Sequence, residues 1–195
     1  VDFPDFSHGT HQELTALGLY FHPGAPSEAV QRTIARTLRP TDVAEARTFF
    51  PTCVEAVLTA FKSARWGGVL YDMQTKEPVA AIGVGGEYQI ARSGRKNAPT
   101  FSAVWFFGTS RIDEIMFGNK RAALRVARRI VSQLYRRFGP LGNVVPTTLW
   151  AARGPLLIHL GRRPGVRSTR CRPAFTASGI TIRDTIQCVL FRYGD

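Results

Sequence analysis

The sequence predicts a mixed α/β (α+β) fold in one domain, and three observations carry that expectation. Its 195 residues suffice for one well-formed core and fall short of two comfortable ones. Hydrophobic residues make up 44% and aromatic residues 11%, well away from the low hydrophobicity of disordered chains. Short apolar and alternating runs are interleaved with stretches of helical period, the mark of a mixed sheet with helices on both sides.

Taken in order, residues 1–32 read as an irregular arm. They carry Phe3, Pro4, Phe6, Pro23, Gly24 and Pro26 without sustained periodicity, and the folded domain is expected over 33–195. Thr33 to Arg39 suggests a short strand. TDVAEARTFF follows Pro40, with Thr41 or Asp42 placed to cap a helix. A second helix is expected over about 52–63, where Val54, Val57, Leu58 and Phe61 share a face. WGGVLYD and PVAAIGV read as strands joined by the polar turn MQTKE, and GGEYQIARSGRKNAP reads as a glycine-rich basic loop. TFSAVWFF is nearly all apolar, so a central strand covered on both faces is expected.

The strongest helical pattern spans 119–138. Ala123, Ala127, Ile130, Leu134 and Phe138 recur at three- and four-residue steps, arginines take the other side, and Gly139-Pro140 ends the run. LGNVVP should be a short strand, and a helix in part of 147–160 is disturbed by Gly154-Pro155. RRPGVRSTRCRP reads as a loop with five arginines in twelve residues, and AFTASGITIRDTIQCVLFRY as a closing strand pair.

Charge narrows the function classes. The net charge is +12, and its distribution is uneven: residues 1–110 hold ten Lys/Arg and ten Asp/Glu, while 111–195 hold sixteen and four. Such an excess attracts a polyanion, whether nucleic acid, a membrane surface or an acidic protein, unless it is only a solvated basic face. The longest uncharged apolar runs, SAVWFF and PVAAIGVGG, fall far short of the roughly 20 residues that cross a bilayer, so no membrane span is expected. VDFPDFSHGTHQEL has acidic residues and no apolar stretch, so it does not read as a secretory signal. Cys53, Cys171 and Cys188 show no CxxC spacing, which indicates neither a disulfide framework nor a zinc knuckle and makes a reducing, intracellular setting the default.

Candidate chemistry is sparse. TSRIDEIMFGNKRAALR joins the expected central strand to the basic helix, where a phosphate-binding loop can form. Its Gly108 and Gly118 stand ten residues apart, with Ile112, Ile115, Met116 and Phe117 crowding the interval and Asp113 and Glu114 repelling phosphate. The junction therefore reads as a structural connection, with Asn119 placed to cap the next helix. His8 and His11 have helical metal spacing but no acidic or thiol partner in the sequence, and His159 lies in an apolar patch, so no metal site is expected. Glu87 is a candidate general base, set against a solvated loop carboxylate. Arg121, Arg125, Arg128, Arg129 and Arg136 form one cationic stripe, and Arg162, Arg163, Arg167, Arg170 and Arg172 a second cluster, both suited to phosphate or carboxylate. Aromatic residues are not interleaved with them, which favours backbone or ion-pair contact over reading of single strands.

The order of elements resembles the GNAT-type N-acyltransferase fold. RPTDVAEA, WGGVLYDMQTKEPVAAIGVGG, SAVWFFGTSRI, LGNVV and SGITIRDTIQCVLF are closer still to a divergent acetyltransferase-like family of short-tailed phages, internal virion protein A, over roughly 33–193. Trp105 to Thr109 and Asn143 are its most telling residues. Active GNAT enzymes bind the acetyl-CoA pyrophosphate on a Q/R-x-x-G-x-G/A segment and commonly use a tyrosine acid; residues 109–122 hold no such segment, and TTLWAARGPLLIHLG has no tyrosine. Losing both should cost several kcal/mol of binding and transition-state stabilisation. The resemblance thus implies a catalytically degenerate virion protein with no cofactor. It would reside in the virion, after assembly in the host cytoplasm, and act in assembly or genome delivery through other virion proteins and DNA. The alternatives are an active acetyl-CoA-dependent N-acetyltransferase and a basic nucleic-acid-binding protein.

Overall fold

A computed structural model describes residues 5–89, 100–149, 166–171, 174–175, 181–182 and 185–192. The chain divides into two compact units, one of residues 1–85 and 105–133 and the other of 86–104 and 134–195. The long strands β3 (Pro78–Gln89) and β4 (Thr100–Gly108) and the helix α6 (Lys120–Phe138) pass from one to the other.

In the first unit the strand order is β1-β2-β3-β4. β1 (Leu19–Pro23) pairs antiparallel with β2 (Trp66–Asp72), and β2 with β3. Asp72 shapes the hairpin between them: its carboxylate accepts the N–H groups of Gln74 at 2.8 Å and Thr75 at 3.3 Å, and Lys76 takes a positive φ of 62° to complete the turn. Strand alternation sends Trp66 and Val69 to opposite faces. On the Val69 face, Ile34 and Ala35 of α2 (Glu28–Arg36), Val57 and Phe61 of α4 (Cys53–Lys62), Leu38 and Ala81 form a core bordered by Trp105 and Phe107. On the Trp66 face, Phe6 and Phe21 pack against the indole at centroid distances of 5.1 and 5.5 Å.

Residues 8–23, expected to be irregular, form helix α1 (His8–Ala16) and strand β1. The fixing contacts are remote in sequence. Gln133 of α6 donates to Ser7 Oγ at 2.8 Å and Thr10 Oγ1 at 2.6 Å, and Arg129 pairs with Glu13 at 2.9 Å. Residues 33–39 are likewise no strand. Ser27 caps α2 and Glu28 pairs with Arg32 one turn on, so Ile34 is a core residue of a helix. In α3 (Pro40–Phe49) Pro40 takes the first turn with Arg39 as the cap residue, and Asp42 turns inward instead of capping. Thr52 caps α4 by accepting the Glu55 N–H at 3.1 Å, close to the expected start.

In the second unit the order is β3-β4-β5-β9-β6. β5 (Leu141–Pro146) lies parallel to β4 and antiparallel to β9 (Thr185–Arg192). The arginine-rich segment expected as a loop contains strand β6 (Val166–Cys171), paired antiparallel with β9. β7 (Ala174–Phe175) and β8 (Thr181–Ile182) make a separate two-stranded ladder. The helix expected within 147–160 begins as a 3₁₀ turn at Thr147–Leu149, and its remainder, with His159, lies outside the described residues. So does the basic loop over 90–99, whereas the strand before it runs on through the expected loop residues to Gln89.

α6 matches its expected span, and Gly139 ends it at φ 73°. Its buried line is Ala123, Val126, Ile130 and Leu134, so Val126 takes the inward place expected of Ala127.

Candidate functional site

Residues 109–118, expected as a plain connection, form helix α5 (Ser110–Gly118) with Thr109 as its cap residue. Thr109 is buried, and both its N–H, at 2.9 Å, and its hydroxyl, at 3.0 Å, donate to the carbonyl of Val79. Leu38 bridges Thr109, and the Arg39 N–H donates to the Gly108 carbonyl at 3.0 Å. The Gly108 N–H donates to Asp42 Oδ2 at 3.0 Å. A Cβ at Gly108 would lie 2.8 Å from Ile112 Cγ2, so the glycine is needed for close cover. The strand end where an anion would meet backbone N–H groups is thus closed by the protein's own carboxylate.

Two arginines stand at this junction, and both are engaged. Arg39, its side chain 13% exposed, bonds Asp42, 1% exposed, through Nε and Asp113 through Nη1 at 2.5 Å, while its guanidinium lies 5.4 Å from the Phe106 centroid. Burial acts to lower the Arg39 pKa, but Asp42 and Asp113 together outweigh it and raise the value. Arg111 reaches Asp72 Oδ2 at 3.0 Å and Glu114 Oε2 at 2.7 Å. The Gln74 N–H leads in holding the Asp72 carboxyl below the ordinary carboxylate range; burial opposes, and Arg111 and Thr75 add to the lowering. Four carboxylates therefore surround two guanidiniums. A diphosphate such as that of acetyl-CoA does not fit here: it would displace Asp42 from Gly108 and confront the other acids.

The sequence-derived candidates are partly gathered. Arg121, Arg125 and Arg136 are exposed on α6, Arg128 is half-buried, and Arg129 turns toward α1 to pair with Glu13. Arg129 therefore serves helix packing more than an outward stripe. Arg167 and Arg170 stand opposite Phe191 and Cys188 in the β6–β9 ladder; Arg162, Arg163 and Arg172 lie outside the described residues. Glu87 sits on the exposed end of β3 in the second unit. His11, read as lacking an acidic partner, has Asp5 at 2.9 Å.

The sequence reading missed two features. Arg39 and Asp42 of α3 with its cap, Asp72 of β2 and Arg111 of α5 come together from three elements, and only RPTDVAEA hinted at the first two. Phe117, read as crowding the junction, is 67% exposed, with Lys120 Nζ 5.1 Å from its ring centroid.

In the second unit the parallel ladder of β4 and β5 pairs Ser102 with Leu141 and Ala103 with Gly142. Asn143 Nδ2 then donates to the Val104 carbonyl at 3.0 Å, a side chain satisfying a strand acceptor one residue beyond the paired Ala103 and Gly142.

No family model and no curated protein matches the chain. Solved structures do. A chimera of the Vibrio cholerae spermidine N-acetyltransferase SpeG with hSSAT matches at a TM-score of 0.53 and 13% identity, covering 90% of this chain and 95% of the other. Two acetyltransferases from Streptococcus agalactiae match at 0.51 with 10% identity and at 0.50 with 8%. They cover 90% and 91% of this chain, and 99% and 97% of theirs. At such identities the likeness speaks for architecture, and with the strand order and helices above it establishes that this chain has the GNAT acetyltransferase fold.

Proposed function

We propose that this protein is a catalytically degenerate GNAT-fold virion protein of a short-tailed phage, of the internal virion protein A type. It acts in particle assembly or genome delivery by contacts with other virion proteins and with DNA, and resides in the virion once the particle has been assembled in the host cytoplasm. One observation supports the loss of catalysis: Asp42 accepts the Gly108 N–H at the strand end where the resemblance to GNAT enzymes implies a cofactor diphosphate. An anion there would have to expel a buried carboxylate already bonded to Arg39, at a cost of several kcal/mol. The phage setting rests on the sequence stretches that resemble that family.

Calorimetry with acetyl-CoA tests the first part. No saturable heat is expected at millimolar cofactor; tight, saturable binding would overturn the reading in favour of an N-acetyltransferase. Mass spectrometry of purified particles and assembly intermediates tests the second. The protein is expected in at least one of them, and absence from both would sink the virion role.

A further inference from the structure

The start of α6 combines three features that are uncommon together. Phe117 is a large apolar side chain left 67% exposed, with Lys120 against its ring. Arg121 and Arg125 are exposed on the first turns of α6, about 6 Å apart along the axis. The helix KRAALRVARRIVSQLYRRF contains no acidic residue, and its first turn carries Lys120 and Arg121 where the macrodipole favours acids. The nearby acids Asp113 and Glu114 are turned to Arg39 and Arg111, so they do not neutralise this end. Both the dipole and the repulsion between Arg121 and Arg125 are paid by the free protein and relieved by a polyanion.

We infer that Phe117, Lys120, Arg121 and Arg125 form a docking face for a single-stranded nucleic acid, the cations on phosphates and the Phe117 ring stacked on an unpaired base. The inference rests on the proposed function and deepens it by naming the partner of this basic end. If it fails, that reading stands with a protein partner in the same place. A lone exposed ring is what separates a strand with free bases from a duplex, whose bases are already stacked. A membrane surface is disfavoured because Ala123, Val126 and Ile130 are buried in the protein. That leaves one phenylalanine to insert, less than stable anchoring needs.

The test is fluorescence anisotropy of the full chain with a labelled oligothymidylate of about 16 nucleotides. A duplex of equal phosphate count, phosphatidylserine vesicles and acetyl-CoA as competitor serve as further arms. The oligothymidylate should bind more tightly than the duplex. Phe117→Ala should weaken it about tenfold without altering the salt slope, and Phe117→Tyr should restore it. Arg121→Ser with Arg125→Ser should weaken binding and make the log–log salt slope shallower by about 1.4, at roughly 0.7 per phosphate contact. These exposed variants should unfold at the wild-type temperature. Wild-type affinity in both Phe117→Ala and the double variant overturns the inference. So does a duplex preference, binding to vesicles alone, or displacement of the strand by acetyl-CoA.

Discussion

The buried carboxylate of Asp42 receives the N–H of Gly108 at 3.0 Å and the guanidinium of Arg39 at once. This one side chain therefore ties the first turn of α3 to the end of the central strand and neutralises an arginine that burial would otherwise disfavour. Asp113 reaches the same guanidinium from α5 but is 38% exposed, so solvent screens its share.

That asymmetry sets the first expected outcome. Asp42→Asn keeps the shape and removes the charge, leaving Arg39 buried beside a neutral amide; a loss of about 3 kcal/mol is expected in urea unfolding. Asp113→Asn should cost under about 1 kcal/mol. Equal losses would show that the two acids share the arginine evenly.

A second concerns the indole of Trp105, which packs against Gly83. A Cβ at Gly83 would stand 2.1 Å from Trp105 Cζ2 and 2.5 Å from Cε2, whereas at Gly86 nothing lies within 4 Å. Gly83→Ala should destabilise by about 3 kcal/mol, because a packed ring must leave its place. Gly86→Ala should change little. Denaturation midpoints decide, and a silent Gly83→Ala would mean the ring moves freely.

Acid sensitivity follows from Asp72. Its folded pKa lies below the ordinary aspartate value of 3.8, so its stabilisation is fully present above that value and is lost as pH falls through the lowered one. Asp72→Asn should be less stable than wild type at neutral pH, and the gap should close as the pH drops below 3.8. Urea midpoints against pH measure this. A gap independent of pH would locate the stabilisation outside the charge.

For α1, the anchor is Gln133. Its amide bonds Ser7 and Thr10, and its carbonyl accepts the Ser7 N–H at 3.2 Å. Gln133→Ala should raise hydrogen exchange of the α1 amides about tenfold, as expected for roughly 1–2 kcal/mol of lost local bonding, while β2 keeps its protection. Unchanged exchange in α1 would show that Phe6, Leu14 and the Arg129–Glu13 pair suffice to hold the helix.

The elements legible in the sequence are those whose signal is local. The period of α6, the span of α4, the hairpin at MQTKE and the apolar β4 all stand where the pattern puts them. α1 and β1 are not legible, because Gln133 and Arg129 that fix α1 come more than a hundred residues later and the partners of β1 lie in β2. The α2 segment misleads because Thr33 and Ile34 are β-branched, and only the cap at Ser27 reveals the helix. At the junction, the missing glycine cradle is readable, but the carboxylates that close it arrive from α3 and the β2 turn. The outward face of Phe117 depends on α5 being a helix, which a run of ten mixed residues does not announce.

Closure of the joint around Gly108 also has a kinetic side. Asp42 and Gly108 are 66 residues apart and Arg39 and Asp113 are 74, so joining them closes a long loop whose entropy must be met before the ion pairs repay it. Contacts of that span should form after the helices and the β2–β3 hairpin. Asp42 should then behave as a latch applied beyond the rate-limiting barrier, its loss shortening the lifetime of the native state while refolding keeps its pace.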